Sequence, residues 1–167
     1  MEQINTIYPK EKNAMYQLLE SQIESIVGDG TLVISDLSNV SAVLNEALEE
    51  INWVGFYLMK AGILQLGPFQ GKLACTKIAL GRGVCGTAAK EQKTQLVENV
   101  HEFPGHIACD SASNSEIVVP ILVKGNVVGV LDIDSPKFSR FDGEDQIGLE
   151  KIVRIIESKC NWSEFKL

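Results

Sequence analysis

Glu116 to Val123 reads EIVVPILV and Val127 to Ile133 reads VVGVLDI, with Lys124-Gly125-Asn126 between them. Both runs are rich in β-branched residues, and the short glycine-bearing connection is the signal of a tight hairpin. Their almost continuous apolar character predicts a sheet covered on both faces. Upstream, Asn52 to Met59 (NWVGFYLM) reads as another strand, followed by a Lys60–Gly62 turn and a short strand at 63–67. Met15, Leu18, Leu19, Ile23, Ile26 and Val27 recur at helical spacing and predict a helix over about 10–27. Val40, Val43, Leu44, Ala47, Leu48 and Ile51 form a second stripe, with Gly28, Gly30 and the residues to Ser38 as the break between the two. A last helix is predicted from the N-cap Asp142, with Leu149, Ile152, Val153 and Ile156 as its apolar stripe. This order predicts an α+β domain in which helices pack against a central, mostly antiparallel sheet.

A chain of 167 residues with no repeat or polar linker is expected to form one domain, 1–167. Its 45% apolar and 22% charged residues place it with globular proteins and against disorder. No apolar run approaches the ~20 residues of a membrane span. Met1 to Lys10 lacks the basic and apolar regions of an export signal, so a cytoplasmic protein that does not engage a membrane is expected. The net charge of −7, without clustered Lys or Arg, argues against a nucleic-acid partner. Four cysteines, at 75, 85, 109 and 160, are then not expected to be held as a permanent disulfide framework.

The middle of the chain, about 68–115, is rich in Gly, Pro, Ser and Asn and holds three of those cysteines. It reads as a long functional loop. Gly81-Arg82-Gly83-Val84-Cys85-Gly86-Thr87-Ala88-Ala89 reads as a loop opening into a helix, with Cys85 in or near the first turn. The helix N-terminus and Arg82 would favour a thiolate there. Alternatively Cys85 is a small apolar residue in a glycine turn. Cys109 lies in a polar stretch, His106 to Glu116, the setting of a nucleophile that meets a second thiol. A zinc site from His101, His106 and Cys109 lacks paired CxxC spacing, and no metal is expected. Glu116 opens one strand, while Asp132 and Asp134 share one face of its hairpin partner. The three acids can therefore meet at one end of the sheet, where mutual repulsion raises at least one pKa. Trp53 and Tyr57 share a face of the earlier strand, as core or as the wall of a pocket.

INWVGFYL at 51–58, LGPFQGKLACTKI at 66–78, GRGVCGTAA at 81–89, HIACDSASNSEIVVP at 106–120 and GVLDIDSP at 129–136 resemble the free methionine-(R)-sulfoxide reductase family, whose members are single GAF domains. The likeness runs from about Tyr16 to Ile156, and Cys75, Cys85 and Cys109 match the family's trio. It implies that Cys109 is the nucleophile and that Cys85 or Cys75 resolves its sulfenic acid, the choice between them staying open. It further implies that Glu116, Asp132 and Asp134 hold the substrate and that Trp53, with Tyr57 beside it, forms the aromatic wall around its methyl group. A thiolate would attack the sulfoxide sulfur while a carboxyl, Glu116, protonates the oxygen. The resulting disulfide would be reduced by thioredoxin, drawing on NADPH through thioredoxin reductase, with no bound cofactor. Asp132 and Asp134 would bind the ammonium group that only a free amino acid carries. A homodimer fits the family. The rival reading is a GAF sensor of small molecules or redox state without turnover. Such a sensor normally sits beside an output domain, which this sequence does not offer.

Overall fold

The computed structural model describes residues 6–28, 30–105 and 111–164. Two helices, α1 (Lys12–Ile26) and α2 (Val33–Ala47), precede the hairpin of β1 (Trp53–Lys60) and β2 (Ile63–Gly71). There follow β3 (Lys77–Ala79), α3 (Gly83–Glu91) and β4 (Gln95–Val97), then the hairpin β5 (Ser115–Val123) and β6 (Asn126–Ser135), and finally α4 (Gly143–Lys159). The six strands form one antiparallel sheet in the order β3-β2-β1-β6-β5-β4. No helix among the described residues is long and apolar enough to cross a membrane.

Two hydrophobic clusters cover the two faces of this sheet, as the unbroken apolar runs require. One face presents Val54, Phe56, Leu58, Ile117, Val119, Leu131 and Ile133 to α1, α2 and α4. The other presents Trp53, Tyr57, Val118 and Val130 to Val84, Cys85, Ala88 and Ala89 of α3. The first is the larger core. Its seam between α1 and α4 is closed by Asp145, wholly buried, which accepts from the Tyr16 hydroxyl at 2.8 Å and pairs with Lys12 at 2.6 Å. Asp142 caps α4 as predicted, accepting from the Glu144 and Asp145 amides, and Asp145 returns a bond to the Asp142 amide.

Three sequence expectations change. Residues 68–115 are not one loop: they contain the end of β2, β3, α3 and β4, and the strand foreseen at 63–67 runs to Gly71. Glycines mark the joints of this segment, with positive φ at Gly71, Gly81 and Gly83, so the composition registered the corners and not the elements between them. The break foreseen up to Ser38 ends at Leu32, because Val33 and Leu37 bury themselves one helical turn apart.

Gly86 decides where α3 sits. A Cβ there would lie 2.3 Å from the carbonyl oxygen of Ala79, a backbone atom that cannot rotate aside. Gly86→Ala should therefore displace α3 from β3 and lower stability by about 1–3 kcal/mol, read as a lower urea midpoint with an unchanged m-value.

Candidate active site

Strand register builds one side of the site. Asp134 lies opposite Glu116 on β5 and opposite Trp53 on β1, while Asp132 lies opposite Val118 and Gly55. Opposed residues share a face, so the three acids and both aromatics, Trp53 and Tyr57, point toward α3. The helix supplies the other side. Its N-cap, Arg82, makes no side-chain cap, and Cys85 enters from the first turn with only 4% of its surface exposed. The Cys85 thiol lies 3.9 Å from Glu116 Oε1 as donor to acceptor. One ligand atom each from Cys85, Glu116 and Asp132 falls within 4.8 Å of the other two. Around them is a small cavity, partly open to solvent, whose lining includes Trp53, Tyr57, Leu73, Ser113 and Asp134.

The acids are held in an environment that opposes their charge. Burial, then the neighbouring Asp132 and Asp134 charges, push Glu116 well above the usual carboxyl range. Burial pushes Asp132 up to about 6, against the lowering effect of hydrogen bonds to Cys85 and Glu116. Oδ1 of Asp132 is buried and has no hydrogen-bond partner among the described residues. Cys85 departs from its sequence reading. Burial, followed by the charges of Asp132 and Glu116, pushes its thiol well up, so it is a protonated thiol and not a thiolate. The helix terminus carries only about half a positive charge, which burial together with the neighbouring carboxyl groups outweighs.

The aromatic wall is stacked and tied down. Trp53 lies 6.0 Å from Tyr57 and 5.3 Å from Phe69, centroid to centroid. Gly55 makes room for Phe69, whose Cβ would be 2.3 Å from a side chain there. Trp53 Nε1 donates to the Lys72 carbonyl at 3.1 Å, and the Tyr57 hydroxyl donates to the Cys75 carbonyl at 3.0 Å. Phe69 went unnoticed in the sequence, although it stands in the strand that pairs with Trp53. Ser113 was also missed. It is buried, accepts from Asn52 Nδ2 at 3.1 Å and reaches the cavity, and its polar run gave no signal to single it out.

Cys75 is disulfide-bonded, whereas Cys85 and Cys160 are free. Cys109 and His106 lie outside the described residues. His101 Nε2 stands 2.9 Å from Asn114 Oδ1, and its ring lies against Phe138, away from the cavity lining. Cys160 packs in the opposite core as the C-cap of α4, where burial pushes its thiol up to about 12.

A GAF domain model matches residues 38–158. The free methionine-R-sulfoxide reductase of Escherichia coli K12 is 48% identical over 155 residues, which cover 93% of this chain and 94% of that one. The structure of the reduced form of fRMsr from Staphylococcus aureus superposes with a TM-score of 0.86 at 52% identity, covering 95% of this chain and all of that one. A free methionine-R-sulfoxide reductase from Neisseria meningitidis, solved in complex with its substrate, gives 0.90 at 44% identity, with 95% of both chains covered.

An acid that keeps its proton longer when folded costs stability as pH rises through the window between its unfolded and folded values. For Asp132 that window runs from 3.8 to about 6, and for Glu116 it opens at the ordinary carboxyl value and extends well above it. Glu116→Gln should therefore melt above the wild type at pH 8 by roughly 2–8 °C, what about 1–2 kcal/mol produces in a chain of this size. Scanning calorimetry at pH 8 and pH 4 checks this, with the gain shrinking at the lower pH.

Proposed function

The chain belongs to the free methionine-R-sulfoxide reductase family of GAF-domain proteins, and on that premise we propose that it reduces free L-methionine-(R)-sulfoxide to methionine. The observation that carries the reading is the buried, proton-retaining Glu116 placed in one cavity with the Trp53 wall and with Asp132 and Asp134. A sulfoxide needs an acid for its oxygen, an apolar surface for its methyl group and, as part of a free amino acid, a counter-charge for its ammonium.

The reaction then divides the acids by environment. Glu116, whose burial favours the protonated carboxyl, donates a hydrogen bond to the sulfoxide oxygen. Asp132, with its lower pKa and an unpartnered oxygen, takes the ammonium group together with Asp134. The methyl group rests on Trp53, with Tyr57 behind it. The Cys109 thiolate bonds to the sulfoxide sulfur as the oxygen is protonated; the hydroxyl then passes from that sulfur to Cys109 Sγ as the new S–S bond breaks, so that methionine leaves and Cys109 becomes a sulfenic acid. The Cys75 thiol attacks that sulfenic sulfur, forming a disulfide and releasing the oxygen as water. Cys75 is favoured over Cys85 as resolving thiol, because Cys75 already stands in a disulfide while Cys85 is a buried, protonated thiol among carboxyls. Thioredoxin, fed by NADPH through thioredoxin reductase, would return the pair to thiols.

NADPH consumption in a coupled thioredoxin assay tests the reading. Turnover is expected with the free R epimer and not with the S epimer or a peptide-bound sulfoxide. Cys109→Ser should abolish even a single turnover. Cys75→Ser should release one methionine per protein and then stop. No turnover by a folded protein would reassign the cavity to a GAF sensor.

Asp132→Asn should raise KM roughly tenfold or more with a smaller change in kcat, since a charge-assisted bond to substrate is lost. A fall in kcat alone would contradict the ammonium role.

A further inference from the structure

We infer that Cys85, Glu116 and Asp132 also form a binding site for a thiophilic divalent cation of the zinc type. The three side chains come from α3, β5 and β6 and are each at least nine-tenths buried. Their donor atoms lie within 4.8 Å of one another, and the Cys85 thiol and Glu116 Oε1 are 3.9 Å apart. In a tetrahedral zinc site a thiolate and a carboxylate oxygen stand roughly 3.6 Å apart, given metal–ligand distances of about 2.3 and 2.1 Å. The cluster is within about an ångström of that geometry, inside the reach of small side-chain rotations.

The second observation is Asp132 itself. Its Oδ1 is buried without a partner among the described residues, yet belongs to a carboxyl that lines the cavity. A buried carboxylate oxygen without a donor is a costly group that a cation relieves. The donor set selects the ion. One sulfur and two carboxylate oxygens suit zinc or cadmium, whereas calcium and magnesium take oxygen alone. The ion displaces the protons of Cys85 and of the shared carboxyls, giving one thiolate and two carboxylates around a dication. Its remaining position faces the cavity, where water completes the shell. If the reductase reading holds, such an ion occupies the groups that would receive the sulfoxide and the ammonium, and so competes with substrate.

Cadmium titration into the full chain carrying Cys75→Ser and Cys109→Ser tests the site directly, because Cys85 and Cys160 are then its remaining cysteines. Thiolate-to-cadmium charge-transfer absorption should rise to saturation at one equivalent and be reversed by zinc. It should persist in Cys160→Ser, vanish in Cys85→Ser and weaken about tenfold or more in Asp132→Asn. Circular dichroism establishes that each variant is folded; should Cys85→Ser not fold, the Asp132→Asn and Cys160→Ser titrations decide. Absence of a saturable band, dependence on Cys160, or unweakened binding by Asp132→Asn overturns the site. The readout involves no turnover, so its failure and a failure of the reductase assay are separate events.

Discussion

The pairing register of β5, β6 and β1 is the constraint on which the rest depends. It aligns Glu116 with Asp134 and Trp53, and Val118 with Asp132 and Gly55. Side chains alternate between faces with a period of two, so a slip of one residue would drive the acids into the core under α1, α2 and α4. The same slip would turn Ile117, Ile133 and Phe56 toward the cavity. Correct register is thus selected twice over, by the large apolar cluster on one face and by the exclusion of carboxyls from it on the other.

Such an arrangement lets one face stabilise what the other face strains. Glu116 and Asp132 crowd together beside Cys85, and the raised pKa values of the two acids oppose folding at neutral pH. In the opposite core the buried Asp145 is satisfied by Tyr16, Lys12 and its own helix cap. Local conflict concentrated in a cavity and relieved by a ligand is what a binding site needs. The substrate proposed for this cavity would bring one polar oxygen to Glu116 and one ammonium to Asp132, whose Oδ1 has no hydrogen-bond partner among the described residues.

Much of this was legible in the sequence where one element's own spacing decides the outcome. The helical stripe of Met15, Leu19 and Ile23, the Asp142 cap and the Lys124-Gly125-Asn126 turn each became what their local pattern predicts. Period two placed Asp132 and Asp134 together, and the hairpin brought Glu116 beside them. Less legible was anything set by a distant partner. The short β3 and β4 strands exist because β2 and β5 offer them an edge, and their three residues carry no periodicity of their own. Cys85 misled for the same reason. Its helix terminus is visible in sequence, whereas the burial that dominates its titration is set by the tertiary packing, and the two carboxyls that add to it arrive from 31 and 47 residues away.

The tether between the aromatic wall and segment 72–75 couples two traits that would otherwise vary independently. Trp53 and Tyr57 each shape the cavity and each hold a carbonyl of the chain that carries Cys75. Enlarging the cavity by shrinking either ring also cuts an anchor of that segment. Drift toward bulkier ligands is therefore penalised through sulfur chemistry as well as through fit, which narrows the evolutionary routes open to this pocket.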